Sequence, residues 1–457
     1  MAKASTQFVC QACGAIFPKW VGRCPSCAAW NTLVEEAAPN KKSAGASPAS
    51  RASQAVSIAE VDADHAARLS TGIGELDRVL GGGAVLGGVA LLGGDPGVGK
   101  STLLLQALAG LAAKGCRSLY VSGEESAGQT AARARRVAQS LVGEHAADGL
   151  LVLAENDLDA IERVIGEVKP VAVVLDSVQT VRAPALESAM GTVSQLREVA
   201  ARMVERAKRD RIATFLVGHV TKDGTLAGPK VLEHLVDTVL AFEGERGHAF
   251  RALRVQKNRY GSATEVGMFE MTSEGMREVK QPSAMFLAER PHGVAGSVIA
   301  ASCEGSRSML VEVQALVGPF AAGSARRTAN GVDGGRLAMI LAVLERKAGL
   351  QLVTADVFVN VAGGVRVDEP AMDLPIALAI ASSLRERPVG AHIVAFGEIG
   401  LAGEVRSVPR AAARIAESAA MGFTHAIVPA SAAGDPGEKK LETIAVRTVE
   451  EAIATAL

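Results

Sequence analysis

An α/β fold is what this sequence predicts, on three observations. Residues 88–102, GVALLGGDPGVGKST, run an apolar strand into a glycine-rich loop, and STLLLQALAGLAAK then continues as a helix. From Ser283 onward, short Val- and Ile-rich strands alternate with Ala-rich helices. Aromatic residues make up only 3% of the chain while Ala, Gly and Val are abundant, a composition suited to tightly packed α/β layers.

The first of these carries chemistry. GDPGVGKS fits the pattern G-x-x-x-x-G-K-[ST], and residues Gly94, Asp95, Pro96, Gly97, Val98, Gly99, Lys100, Ser101 and Thr102 form the expected nucleotide-binding loop. Its glycines let backbone N–H groups wrap the phosphates, and the start of the following helix adds a favourable dipole. Lys100 is expected to supply charge at the β and γ phosphates, and Ser101 a magnesium ligand. Such a site needs an acid at the end of a neighbouring buried strand. VAVVLDS supplies Asp176 as the second magnesium residue. It also needs a carboxylate to activate water. SLYVSGEES ends another strand with Glu124 and Glu125, of which Glu124, the first acid past the strand, is the expected base and Glu125 the alternative. His219, at the end of TFLVGH, is either a γ-phosphate sensor or a loop histidine.

A length of 457 residues suggests about three domains. Of six cysteines, Cys10, Cys13, Cys24 and Cys27 fall together as two CxxC pairs, a spacing that aims four thiolates at one tetrahedral zinc ion. With few apolar side chains, this segment must draw its folding energy from the metal, about 10–16 kcal/mol in such peptides. Four protein ligands leave no open position, so one structural zinc is expected. The organisation expected is a zinc ribbon over 1–34, a flexible Ala-, Ser-, Pro- and Lys-rich linker over 35–65, an ATPase domain over 66–280 and a further α/β domain over 281–457. Neither a signal peptide nor an apolar run of about 18 residues is apparent, so a soluble, cytoplasmic protein is expected. The formal charge of −1 gives no polyanion-binding signature, and any nucleic-acid surface must come from local clusters.

The four-cysteine motif, GGDPGVGKST, YVSGEES, GHVTKDGTLAGPKVLEHLVDTVL and KNRYG follow one another in this order. In that series the chain resembles the RadA (Sms) DNA repair family over nearly its whole length, with Tyr260 where the family usually has Phe. The resemblance implies a RecA-like core in a homo-hexameric ring that hydrolyses ATP, binds single-stranded DNA and promotes branch migration of recombination intermediates, with the RecA recombinase as partner. It also places DNA-binding loops after Asp176 and around Lys222 to Lys230. Read from the residues themselves, Arg202, Arg206 and Arg209 share a helical face that is either a solvated surface or a DNA contact. In Lys257, Asn258, Arg259, Tyr260 and Gly261, two cations stand two apart on a strand continuation and point to one side. They are expected to act on a neighbouring subunit's γ-phosphate as an arginine-finger pair, with a DNA-phosphate contact as the alternative.

DEPAMDLPIALAIASS and GEIGLAGEVRSVPRAAARIAESAAMGFTHAIVP resemble the Lon protease domain. Lon-type cleavage needs a serine activated by a lysine. The serine position falls at Asp373 and the lysine position near Arg406. No serine occurs between Ser324 and Ser382, and no lysine between Lys347 and Lys439. Arginine stays protonated and cannot serve as the base, so the domain is expected to be proteolytically inactive, with Arg326, Arg327 and Arg336 as candidate DNA contacts.

Overall fold

The structure, a computed structural model, describes residues 6–11, 14–37, 67–142, 149–220, 226–227, 231–244, 250–320, 325–363, 366–367, 369–432 and 441–457. Two compact units divide it, Met1–Glu278 and Val279–Leu457.

In the first unit a nine-stranded sheet has the spatial order Gly275–Glu278, Val266–Thr272, Phe250–Asn258, Thr238–Glu243, Val89–Gly94, Ala213–Val217, Ala172–Asp176, Ser118–Ser122 and Leu150–Ala154. The last six are parallel and the first three extend the sheet antiparallel. The strands VALLGG, ATFLV and SLYVS are buried throughout because both faces of the sheet are covered, which explains their continuous apolar character. Strand alternation sorts them: Ala90 and Leu92 pack with Leu104 and Leu108 of helix Lys100–Ala113 on one face. Val89 and Leu91 pack on the other with Ile161 of helix Leu158–Val168 and Met203 of helix Val193–Asp210. One expectation needs correction. The strand ending in Asp176 does not adjoin the loop-bearing strand, because Ala213–Val217 lies between them.

Ahead of this core, Thr6–Cys10 pairs antiparallel with Ile16–Phe17 and with Leu33–Ala37. The third strand runs to Ala37, past the boundary expected at residue 34, because Glu35 still pairs with Phe8. Residues 38–66, most of the expected linker, lie outside the described residues.

The second unit holds a seven-stranded mixed sheet, in the order Arg327–Asn330, Ala355–Val361, Arg307–Phe320, Ser297–Glu304, Ile393–Ala395, His425–Pro429 and Glu442–Val446. Helix Asp373–Arg385 is buried from Asp373 to Ser382, consistent with a sequence that is apolar on every side. Among the described residues no helix is long and apolar enough to cross a membrane.

Candidate functional site

The glycine-rich loop leaves the strand Val89–Gly94 and enters the helix that begins at Lys100. Two glycines are required, Gly94 by contact with backbone and Gly99 by its left-handed φ. A Cβ at Gly94 would collide with the Phe242 carbonyl, and one at Gly99, whose φ is 109°, would collide with the Met276 and Met271 methyl groups. Lys100 is 5% exposed, and its Nζ donates to the carbonyls of Gly94 at 2.7 Å and Asp95 at 3.0 Å. Burial pushes its ammonium below the ordinary value of 10.5, while Asp176, Asp95 and Glu124 pull it back up.

Ser101 donates to Asp176 Oδ2 at 2.5 Å, so the two residues expected to share a magnesium ion meet across the intervening strand. The register brings this about: Asp176 ends a parallel strand level with Ser122, at the same end of the sheet as Gly94. Tyr120, which the sequence reading missed, also donates its hydroxyl to Asp176 Oδ2. Burial, followed by the Asp176 charge and the hydrogen bond to it, drives that hydroxyl far above its ordinary range, so it remains a donor. Ser177 Oγ donates to Glu124 Oε1 at 2.9 Å, whereas Glu125 forms an ion pair with Arg133. Pro96, Gly97, Lys100, Ser101, Glu124 and Asp176 line one cleft of about 360 Å³. The side chain of His219 lies outside the described residues.

KNRYG lies at the far end of the strands from the nucleotide loop. Asn258 pairs with Thr238, which is level with Ala90, near the opposite end of the loop-bearing strand from Gly94. Lys257 Nζ donates to the carbonyls of Glu233 at 2.6 Å and Val236 at 2.7 Å. Arg259 is 52% exposed and its Nη1 lies 3.1 Å from Asp237 Oδ1. The two cations thus have different partners within the chain. Asn258 Oδ1 accepts from the Tyr260 backbone N–H at 2.9 Å and from Thr238 Oγ1 at 3.2 Å, which fixes the turn. At Gly261 a Cβ would lie 3.0 Å from the Gly81 Cα, so the last position of the motif admits only glycine without a shift.

The candidate DNA-contacting arginines fare unequally. Arg202 pairs with Asp159 at 2.7 Å and Glu162 at 2.6 Å, and Arg206 and Arg209 both pair with Asp210, which favours the solvated-face reading of that helix. Arg336 is engaged by Asp373 and, at 3.4 Å, by Glu398. Arg326 and Arg327 are exposed at an edge strand. Lys222 and Lys230 lie outside the described residues.

At the cysteines, the sulfur atoms of Cys10, Cys24 and Cys27 all lie within 4.8 Å of one another, and Cys10 Sγ is 3.7 Å from Cys27 Sγ. Four sulfurs at about 2.3 Å from a tetrahedral zinc stand roughly 3.8 Å apart, so this donor set fits zinc. Cys13, the fourth expected ligand, lies outside the described residues.

Residues 55–225 match the AAA domain family, 8–35 the rubredoxin metal binding domain, and 338–432 the subunit ChlI of Mg-chelatase. The whole chain aligns with DNA repair protein RadA of Halalkalibacterium halodurans at 49% identity, covering 100% of both sequences. It aligns with the RadA proteins of Bacillus subtilis strain 168, with 100% of both covered, and Listeria monocytogenes, with 100% of this chain and 99% of that one covered, each at 48% identity. The chain belongs to the RadA family of DNA repair proteins. A solved KaiC-like protein of Pyrococcus horikoshii OT3 aligns over 47% of this chain and 99% of its own, at 21% identity and a TM-score of 0.39. The fold class is the one the sequence predicts: an α/β RecA-like P-loop ATPase core behind a zinc ribbon and ahead of a Lon-protease-like α/β domain. ATP and zinc are its supported ligands.

Proposed function

We propose that this DNA-repair ATPase works as a homo-hexameric ring on single-stranded DNA, in the cytoplasm, driving branch migration of recombination intermediates alongside the RecA recombinase. The observation that carries the ring is the position of Arg259. Its backbone N–H bonds to the Asp237 carbonyl, and Asp237 bonds to Val89. At about 3.3 Å per residue, the level of Val89 is roughly 16 Å along the strand from Gly94, beyond the reach of an arginine side chain. A half-exposed guanidinium that cannot serve its own nucleotide is suited to a neighbour's.

Within one site, Lys100 and the loop N–H groups would orient the phosphates, with Ser101 and Asp176 holding a magnesium ion that neutralises charge on them. Tyr120 and Ser101 fix the rotamer of Asp176. Glu124, oriented by Ser177, takes the proton from the attacking water, and Glu125 is neutralised by Arg133. Arg259 and Lys257 of one subunit would then stabilise charge developing on the γ-phosphate of the next.

Proteolysis has no place in this reading. Asp373, at the serine position, is 1% exposed and tied to Arg336, and Arg406, near the lysine position, is an exposed partner of Glu404. The deciding experiment measures ATP turnover with and without single-stranded DNA, together with three-stranded branch migration. Stimulated turnover coupled to migration is expected. Turnover that ignores DNA, or migration that proceeds without ATP, overturns the proposal.

A further inference from the structure

The chain has two tryptophans, Trp20 and Trp30, and both lie in the zinc ribbon. Both are exposed, at 55% and 68%. Indole rings are large and largely apolar, so leaving two of them in water on so small a module is costly unless something covers them.

Their arrangement is built. Trp30 stands opposite Arg23 as an antiparallel bridge pair in the second cysteine knuckle. Asn31 N–H donates to the Gly22 carbonyl at 2.8 Å, and Asn31 holds a φ of 56° to turn the chain there. Across the knuckle, the Arg23 guanidinium sits over the Trp30 ring at 5.7 Å from its centroid, while Nε donates to the Ala28 carbonyl at 3.1 Å. The two rings converge over Gly22: a Cβ added there would lie 3.7 Å from Trp20 Cη2 and 4.0 Å from Trp30 Cζ3. A larger residue at position 22 would fill the gap that glycine leaves between the rings.

The charge is one-sided. Lys19 and Arg23 are exposed beside the rings, and residues 8–34 contain no Asp or Glu. Two exposed indoles meeting over one glycine, with cations alongside and no acid in the intervening sequence, match an unstacked base with its phosphate.

We propose that Trp20 and Trp30 form a base-stacking platform on the zinc ribbon, with Lys19 and Arg23 taking the adjoining phosphates, so that the ribbon is itself a contact site for single-stranded nucleic acid. The inference rests on the DNA-handling reading above and adds a site outside the ATPase core.

Because these are the only two tryptophans in the chain, intrinsic tryptophan emission of the zinc-loaded, full-length protein reports on this module alone. Titration with an oligothymidylate should quench that emission saturably, along the same curve that anisotropy of the labelled oligonucleotide follows. Trp20→Ala and Trp30→Ala should each weaken binding about 5- to 150-fold, the range given by base–aromatic stacking, with the salt dependence unchanged. Lys19→Ala and Arg23→Ala should instead lower the slope of log affinity against log salt by about 1 each. Basal ATP turnover should stay at the parent level in all four. Zinc content checks that the ribbon is intact. Should an alanine variant lose the metal, Trp20→Phe and Trp30→Phe decide, since a phenyl ring still stacks and should keep most of the affinity. Oligonucleotide binding that leaves the emission and the alanine variants' affinity unchanged overturns the proposal. If those variants bind DNA normally and lose only association with a recombinase filament, the patch is a protein-docking surface and the stacking assignment falls. Absence of any binding by anisotropy sinks the DNA-handling reading itself, a result distinct from either.

Discussion

Asp237, 2% exposed, receives the Arg259 guanidinium on one carboxylate oxygen at 3.1 Å and the Val89 N–H on the other at 3.1 Å. One buried carboxylate thus joins the exposed cation of KNRYG to the root of the strand that carries the nucleotide loop.

If Arg259 acts on the neighbouring subunit, mixing Arg259→Ala with Lys100→Ala subunits should restore part of the DNA-stimulated ATP turnover that each lacks, because some interfaces regain an intact loop facing an intact finger. A finger of this kind contributes on the order of 10³–10⁵ in rate. Asp237→Asn should lower stimulated kcat less than Arg259→Ala does. Added to Arg259→Ala it should cost nothing further, as expected for residues that act as one unit. Mixed rings that demonstrably form and stay inactive would favour the DNA-phosphate role instead.

The two acids after Ser122 are separated by their partners. Ser177 donates to Glu124 without neutralising it, whereas Arg133 neutralises Glu125. Glu124→Gln should therefore bind ATP at close to parent affinity and lose about 10²–10⁴ in kcat, the usual contribution of a general base. Glu125→Gln should lose far less. A reversed order in steady-state assays, with binding confirmed by a fluorescent nucleotide, would move the base to Glu125.

What the sequence made legible follows from how local each signal is. The nucleotide loop and the cysteine knuckles are contiguous words, so Gly94 to Thr102 and the cysteines could be read directly. Asp176 was legible as an acid ending an apolar run. Its separation from the loop by the strand Ala213–Val217 depends on crossover order, which no window of residues encodes. Tyr120 looks like any strand residue until the register sets it beside Asp176, 56 positions away. The spacing of Arg202, Arg206 and Arg209 correctly gave one helical face, but not that Asp159 and Glu162 on another helix await Arg202 there. Asp237 carried no signal, because its partners are a backbone N–H 148 positions earlier and an arginine 22 positions later.

Burial lowers the Lys100 ammonium from its ordinary 10.5, and this gives two pH effects of opposite sign. In the free enzyme the charge at the phosphates is lost earlier than for an exposed lysine, so kcat/KM for ATP should fall with rising pH below 10.5. Between the folded and unfolded values the unfolded chain binds more protons at this residue, so its contribution to stability rises with pH across the same window. Lys100→Arg, charged throughout, should remove the alkaline fall in nucleotide binding measured by a fluorescent analogue. An alkaline limb identical in that variant would assign the titration to another group.

Arg336 and Asp373 make the corresponding test of the second unit. Asp373 opens a buried helix, and its carboxylate takes Arg336 Nε at 2.7 Å and the Ile399 N–H at 2.9 Å. Even so, burial raises its pKa above the ordinary 3.8, because desolvation outweighs the arginine and the backbone donor. Removing the cation alone leaves an uncompensated buried charge, a loss of about 3–5 kcal/mol in comparable cases. Arg336→Met should accordingly weaken hydrogen-exchange protection across Gly334–Arg346 and Asp373–Arg385, and more so as the pH rises through the titration of Asp373, where ionisation adds to the cost. Adding Asp373→Asn removes the charge, and protection should return most of the way, independent of pH. If Arg336→Met is silent in exchange yet abolishes binding of duplex DNA by the full chain, the arginine's first duty is to the nucleic acid, and the ion pair with Asp373 is only where it rests.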